Sequence, residues 1–241
     1  MHIVATRRPL IALDLVDVVE DSWPRKRAWV LQRFGSDVGT TPRSRTTLEA
    51  FLAYRHGVVG HSAYEAMSAE IATPRGILAR PPVAGVVAAL HALRPHVELV
   101  VVSGRREEKR AVTERWLRRN GLPWLAGSRL QLFGYRTTNE RHSSVESPKL
   151  HWCLQEGVDA YVDNQSRQLA WSAPPDATCL TRVLFSTDPA EIRRIHGPIH
   201  LARNWPACVQ ILERVGLLPR GTASDRGVSP HARGAMPLLP A

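Results

Sequence analysis

Three short apolar runs end on polar residues that can do chemistry, and a fourth such residue opens a helix. Asp14 lies at the end of the first run, in "IALDLVDVVED". Ser103 ends "LVVVSGR", Asp163 ends "AYVDNQ", and Lys149 begins "SPKLHWCLQEG". A carboxylate at a strand end can attack phosphorus as a nucleophile. Two carboxylates together can hold Mg²⁺, a hard cation that prefers oxygen ligands. A hydroxyl and an ammonium can hold phosphoryl oxygens and offset the charge of the transition state. Asp14, Asp17 and Asp21 compete for the first role, and the other three residues favour Asp14.

The elements that must carry these residues follow from pattern. Leu10–Leu15 and Val97–Val102 are short, continuous apolar runs and read as buried strands. "RLQLF", "DAYVDNQ" and "TCLTRVLF" read as further strands. Between them, "WPRKRAWVLQRFG", "TTLEAFLAYRHG", "HSAYEAMSAEIATP" and "PPVAGVVAALHALRP" read as helices. Pro24 suits the first turn of its helix; Gly35, Gly57 and Pro74 suit the stops. Tyr64, Met67 and Ile71 share one helix face and are expected in a core. "REEKRAVTERWLRRNGLP" is amphipathic, with Ala111, Trp116 and Leu117 as its expected buried positions and Asn120-Gly121 as its stop. "SPKLHWCLQEG" has Ser147 as N-cap, and Asn204 caps the last helix. Strands alternating with helices predict an α/β fold, a Rossmann-like parallel sheet with helices on both faces. In such sheets ligands bind beyond the C-terminal strand ends, where Asp14, Ser103 and Asp163 fall. Residues 217–241 are rich in Pro, Gly, Ser and Arg without periodicity and are expected to be a disordered tail.

From about Leu10 to Trp205 the chain resembles the haloacid dehalogenase (HAD) superfamily of phosphohydrolases. The branch it is most similar to is the small-capped, deoxyribonucleotidase-like one. The resemblance rests on "IALDLVDVVED", "LVVVSGR", Lys149 and "AYVDNQ" in that order. It implies a HAD-like core over 1–21 and 81–216, and a helical C1-type cap over 22–80. It also implies Asp14 as nucleophile and metal ligand, and Asp163 with the Val16 carbonyl as further Mg²⁺ ligands. Ser103, Gly104, Arg105 and Lys149 are then expected to bind the phosphoryl group, with Ser103 and Lys149 acting in catalysis. The substrate class implied is a small phosphomonoester, nucleotides included.

One position departs from the family pattern. Where its phosphatases carry a second Asp, two residues after the nucleophile, this chain has Val16. Valine transfers no proton, and general acid–base help is worth roughly 10²–10⁴-fold. Asp17, one residue on, is the candidate to replace it, through a bulge that swings it inward; relatives often have glycine there. Lys26 is the only lysine in the expected cap, and an imine-forming role of the phosphonatase type rests on it alone. Its setting, "PRKRAW", reads as an exposed basic turn. A catalytically degenerate domain that binds a phosphorylated ligand, nucleic acid or a protein is the other reading, as is non-phosphatase chemistry on the same scaffold.

Composition adds bounds. The formal net charge is +10, and the only lysines are Lys26, Lys109 and Lys149. The arginines are spread out and not interleaved with aromatics, so nucleic acid is a partner to test, not an inference. No stretch reaches the roughly 18 apolar residues of a membrane span. The first apolar run is short and carries Asp14, so no signal peptide is expected. Cys153, Cys179 and Cys208 are odd in number and far apart, which suggests core thiols in a reducing, cytoplasmic setting. No P-loop, GxGxxG or HExxH occurs.

Overall fold

The first apolar run forms strand β1, Leu10–Asp14, with four of its five residues buried. Parallel strands flank it on both sides: β2 (Glu98–Ser103), where Leu13 pairs with Val101, and β4 (Ala160–Asp163), where Leu13 pairs with Val162. β3 (Leu130–Leu132) extends the sheet beyond β2, and β5 (Thr181–Phe185) and β6 (Ile199–Ala202) extend it beyond β4. The order β3-β2-β1-β4-β5-β6 is parallel throughout. The order reverses beside β1, which makes the C-terminal ends of β1 and β4 the switch point of the sheet. The structure, a computed structural model, describes residues 7–134, 147–170 and 180–222. Among them no helix is long and apolar enough to cross a membrane.

Strand alternation sorts the core into two layers. Ile11, Leu13, Val101 and Val162 face one way and pack with Val86 and Leu90, Trp116 and Leu117, and Trp205 and Cys208. Ala12, Val100, Val102 and Tyr161 face the other way and pack with Leu150, Cys153 and Leu169. Each fully buried side chain of this size stabilises the fold by about 1.5–3 kcal/mol. The helices that supply these contacts are α5 (Val86–Leu93), α6 (Arg110–Arg119), α7 (Pro148–Gln155), α8 (Ser166–Leu169) and α10 (Trp205–Arg214). A further turn, α9 (Pro189–Ile192), follows β5.

Between β1 and α5 the chain forms three helices with a cluster of their own. They are α1 (Trp23–Phe34), α2 (Arg45–His56) and α3 (Gly60–Ile71). Trp23, Trp29, Val30, Leu48, Leu52, Met67 and Ile71 fill the space among them. α2 and α3 cross so closely at Gly60 that a Cβ there would lie 2.2 Å from the Glu49 carbonyl oxygen. This helical insertion joins the sheet through two adjacent strands of chain. Asp21 N donates to the Pro81 carbonyl at 2.8 Å, and Val83 N donates to the Val19 carbonyl at 2.9 Å.

Several elements differ from the sequence reading. Pro74 ends the α3 pattern but also opens α4 (Pro74–Leu78), with the Thr73 hydroxyl accepting from Gly76 N. A proline suits a helix start as well as a stop. The helix expected from Val83 begins at Val86, because Gly85 takes φ 79°. On α6 it is Thr113, not Ala111, that joins Trp116 and Leu117 in burial; Ala111 is exposed. The edge strand β6, within "HGPIHLA", had no clear pattern. Leu218, expected in the tail, is buried against the core. Residues 223–241 of that tail, and Cys179, lie outside the described residues. Cys153 and Cys208 are buried thiols, each pushed up to about 12 by desolvation.

Candidate active site

The sheet register brings the strand-end residues into one row. Leu13 pairs with Val162, so Asp14 stands level with Asp163 on the next strand. Asp14 pairs with Val102, so Ser103 lies one residue beyond on the other side. Asp14, Ser103 and Asp163 are all buried. The Ser147 hydroxyl accepts from Leu150 N and starts α7 there, which delivers Lys149 to the same place. Lys149 Nζ donates to Asp14 Oδ1 at 2.9 Å and to Asp163 Oδ2 at 2.5 Å. The Tyr161 hydroxyl also donates to Asp163 Oδ2, and Gln165 N donates to Oδ1 at 2.9 Å.

The electrostatics follow from that packing. Desolvation raises the Asp14 carboxyl, the Lys149 charge lowers it and the Asp163 charge raises it again; the result is about 7. Burial alone would favour a neutral Lys149 amine. The two carboxylates outweigh it and hold the ammonium above its ordinary range. Lys149 is therefore the cation that lets two carboxylates share a buried site.

Other expected site residues have different partners. Arg105 was expected on the phosphoryl group. Its Nη2 instead bonds both oxygens of the buried Glu20, at 2.5 and 2.6 Å, and its Nη1 donates to Thr113 Oγ1 at 3.1 Å. Arg80 also binds Glu20. The guanidinium of Arg105 thus ties the loop after β2 to the chain that enters the insertion, and only its backbone N faces Ser103, donating to Oγ at 3.3 Å. Gly104 completes that loop as a bend.

Asp17 has φ 66°, the left-handed region that a glycine would fill without cost. Its carboxylate accepts from Ser22 N and Oγ, at 2.9 and 2.5 Å, and pairs with Lys26 Nζ at 2.7 Å. Both oxygens are committed there, so no bulge presents Asp17 to Asp14. Lys26, expected on an exposed turn, is 8% exposed and faces inward from α1. Asp21 accepts from Trp23 N at 2.9 Å and supports the start of α1.

The oxygens left over suit a hard cation. Among the described residues no hydrogen bond reaches the Val16 carbonyl. Asn164 Oδ1, next to Asp163, is buried without a partner. With the carboxylates of Asp14 and Asp163 these are all oxygen donors, the type that Mg²⁺ prefers, although both Asp163 oxygens also accept hydrogen bonds. Among the described residues there is no cluster of three or more His, Cys, Asp or Glu that could hold a metal ion.

A cavity of about 350 Å³ lies between the insertion and the C-terminal end of the sheet. Asp17, Lys26 and Tyr64 line it from the hinge and insertion, and Asn164, Phe185 and Asp188 from the sheet side. Asp14, Ser103 and Lys149 are not in its wall; the cavity reaches their neighbourhood through Asn164.

No protein-family model matches the chain, and no curated protein matches its sequence. Solved structures do match in fold. One is a HAD family hydrolase from Deinococcus radiodurans R1 with bound phosphate and sodium. It has a TM-score of 0.51 and 19% identity over 88% of this chain and 98% of that one. A predicted phosphatase from Clostridium acetobutylicum has a TM-score of 0.51 and 10% identity, over 88% of this chain and 100% of that one. A HAD-superfamily hydrolase of subfamily IA from Geobacter sulfurreducens has a TM-score of 0.50 and 15% identity, over 85% and 96%. The chain has a HAD-like fold. Within that fold, its buried row occupies the C-terminal edge of the sheet at the switch point.

Three residues around the buried row escaped the sequence reading. Tyr161 had a signal, because two residues before Asp163 on a strand means the same face. Lys26 was named as a candidate, but its pairing with Asp17 was not read. Glu20 and Arg80 had none, since their pairing joins positions 60 apart.

Proposed function

We propose that the chain is a Mg²⁺-dependent phosphohydrolase acting on a small phosphomonoester, nucleoside monophosphates among the candidates. The observation that carries this reading is Lys149, which holds the carboxylates of Asp14 and Asp163 in one buried row beside Ser103. Asp14 Oδ1 is taken by Lys149, which leaves Oδ2 to attack phosphorus. The Asp14–phosphorus bond forms as the ester P–O bond breaks, and the leaving oxygen takes its proton from solvent. Water then cleaves the aspartyl-phosphate and releases inorganic phosphate. Ser103 Oγ and the Lys149 ammonium hold phosphoryl oxygens through both steps. Asp14, Asp163 and the Val16 carbonyl would hold Mg²⁺, which when bound supplies positive charge against the phosphoryl oxygens. In this reading the helical insertion is a cap over the site, and the compartment is the cytoplasm.

Two features bear on the alternatives. An imine-forming lysine must give up its proton. Burial works in that direction on Lys26, but the charge and hydrogen bond of Asp17, with the neighbouring Tyr64, together outweigh it and hold the ammonium above its ordinary range. That disfavours the phosphonatase-type role. Val16 supports the second reading, a degenerate domain that binds a phosphorylated ligand without turning it over. In that case a polyanion such as nucleic acid is the partner to test.

A panel of nucleoside monophosphates, sugar phosphates and an aryl phosphate, assayed with Mg²⁺ beside Asp14→Asn, separates the readings. Turnover by the wild type that disappears in Asp14→Asn is expected. No turnover by the wild type, with activity appearing in Val16→Asp, would replace the enzymatic reading with the degenerate one.

A further inference from the structure

We infer that the cavity between the cap and the sheet selects phosphomonoesters that carry a second anionic group, held between Arg43 of the cap and Arg203 at the end of β6. This rests on the phosphohydrolase reading, since it assigns the cavity to the part of the substrate that is not transferred. The phosphoryl-binding residues Asp14, Ser103 and Lys149 are absent from its wall, so the cavity has room for the remainder of the molecule. Its volume, about 350 Å³, lies within the range of small-molecule sites.

The charges in the wall do not cancel. Every carboxylate there already has partners. Asp17 is committed to Ser22 and Lys26, and Asp21 to Trp23 N. Asp188 takes Ser44 N, Thr47 Oγ1 and Ala190 N. Glu191 Oε2 takes Ser166 N and Oγ, each at 2.8 Å. The arginines are less committed. Arg45 is held between Glu49 and Glu65, Arg167 binds Gln165 Oε1 through Nε and Nη2, and Arg194 Nη1 pairs with Glu191 Oε1 at 3.5 Å. Arg43 spends only Nε, on the Val38 carbonyl at 3.2 Å, and its guanidinium carbon lies 5.5 Å from the centre of the Phe51 ring. Arg203 has no hydrogen bond or ion pair among the described residues. Arg43 on the insertion and Arg203 on the sheet therefore face the cavity with open donors and, among the described residues, no carboxylate partner.

A guanidinium presents paired N–H groups that match the two oxygens of a carboxylate or phosphate. In a partly enclosed cavity such a contact is screened less than on open surface. An anionic group placed between Arg43 and Arg203 also bridges cap and sheet, so binding it favours the docked cap. The recognised chemistry is an anion with two or three oxygens. A carboxylate and a second phosphate both present it, and the experiment tells them apart.

The test uses matched probes. Phosphoglycerate is compared with glycerol phosphate, and a propanediol bisphosphate with propanediol monophosphate, each by kcat/KM with Mg²⁺. The wild type should prefer the member with the second anion, and Arg43→Gln and Arg203→Gln should each cut that preference by about tenfold. A preference confined to one pair identifies the anion. The same pairs are titrated by calorimetry into Asp14→Asn, where turnover is not needed. Preference in binding without turnover by the wild type would reject the phosphohydrolase reading and keep the anion site. Equal handling of both members in rate and in binding, or a preference that survives in both arginine variants, would overturn the inference.

Discussion

Lys149 and Val16 pull the proposed reaction in opposite directions. Lys149 makes a buried pair of carboxylates tolerable and, in the proposed reaction, leaves one Asp14 oxygen for attack. In the same reaction Val16 offers no side chain that could protonate the leaving group from this loop. Val16→Asp is expected to raise turnover of poor-leaving-group substrates by roughly 10²–10⁴-fold, with a smaller gain on an aryl phosphate, whose oxygen leaves without help. Steady-state assays with both substrates check this, and an equal gain on both would argue against a proton-transfer role. Tyr161 supports the row from below. Its hydroxyl donates to Asp163 Oδ2, the oxygen that Lys149 also binds. A hydrogen bond to a charged group is worth about 1.5–3 kcal/mol, so Tyr161→Phe should lower stability by about that amount. Urea unfolding with an unchanged slope would show it; an unchanged midpoint would make the contact incidental.

At the scale of elements, β1 to β5 and their ends were legible, while β6 and the links between elements were not. Asp14, Ser103 and Asp163 each close an apolar run, so the row could be read from pattern and from the rule that parallel sheets bind at their C-terminal ends. The helix starts at Ser147 and Asn204 were equally local, because an N-cap and its partner lie three residues apart. The pairing of Arg105 with Glu20 was not legible, because Glu20 is 85 residues away and a one-dimensional pattern does not encode such a pairing. Glu20, with Arg80 and Arg105, ties both passages between sheet and helical insertion to the loop after β2. Glu20 itself is fully buried. Removing one member of such a group leaves buried charge without a partner, which costs about 3–5 kcal/mol. Glu20→Gln should therefore destabilise the protein by that order, measured by denaturant unfolding. A loss under about 1 kcal/mol would place the group with ordinary surface pairs.

For the molecule as a whole, the question is what keeps the helical insertion on the sheet. Asp188, in the loop after β5, makes the clearest polar contact across the cavity. Its Oδ2 accepts from Ser44 N and from Thr47 Oγ1, at 3.0 Å for the hydroxyl, both at the start of α2 in the insertion. Its Oδ1 accepts from Ala190 N at 2.7 Å, within its own loop. One carboxylate thus caps two helices that belong to different halves of the fold, each favoured by the positive end of a helix. Burial alone would raise its carboxyl, but the backbone N–H groups of Ser44 and Ala190 outweigh burial and hold it below the ordinary 3.8. A carboxyl depressed in the docked state contributes stability that is present above its ordinary value and lost as pH falls through the depressed one. The helical insertion should therefore stay docked at neutral pH and loosen as pH falls through the depressed titration of Asp188, before the buried sheet gives way. Hydrogen exchange at the Ser44 and Thr47 amides, compared with those of β1, reads this directly. Protection at the start of α2 should fall first on acidification, and Asp188→Asn should show the loss already at neutral pH. Equal protection of α2 and β1 down to the acid limit would mean that the apolar contacts of the insertion hold it without this carboxylate.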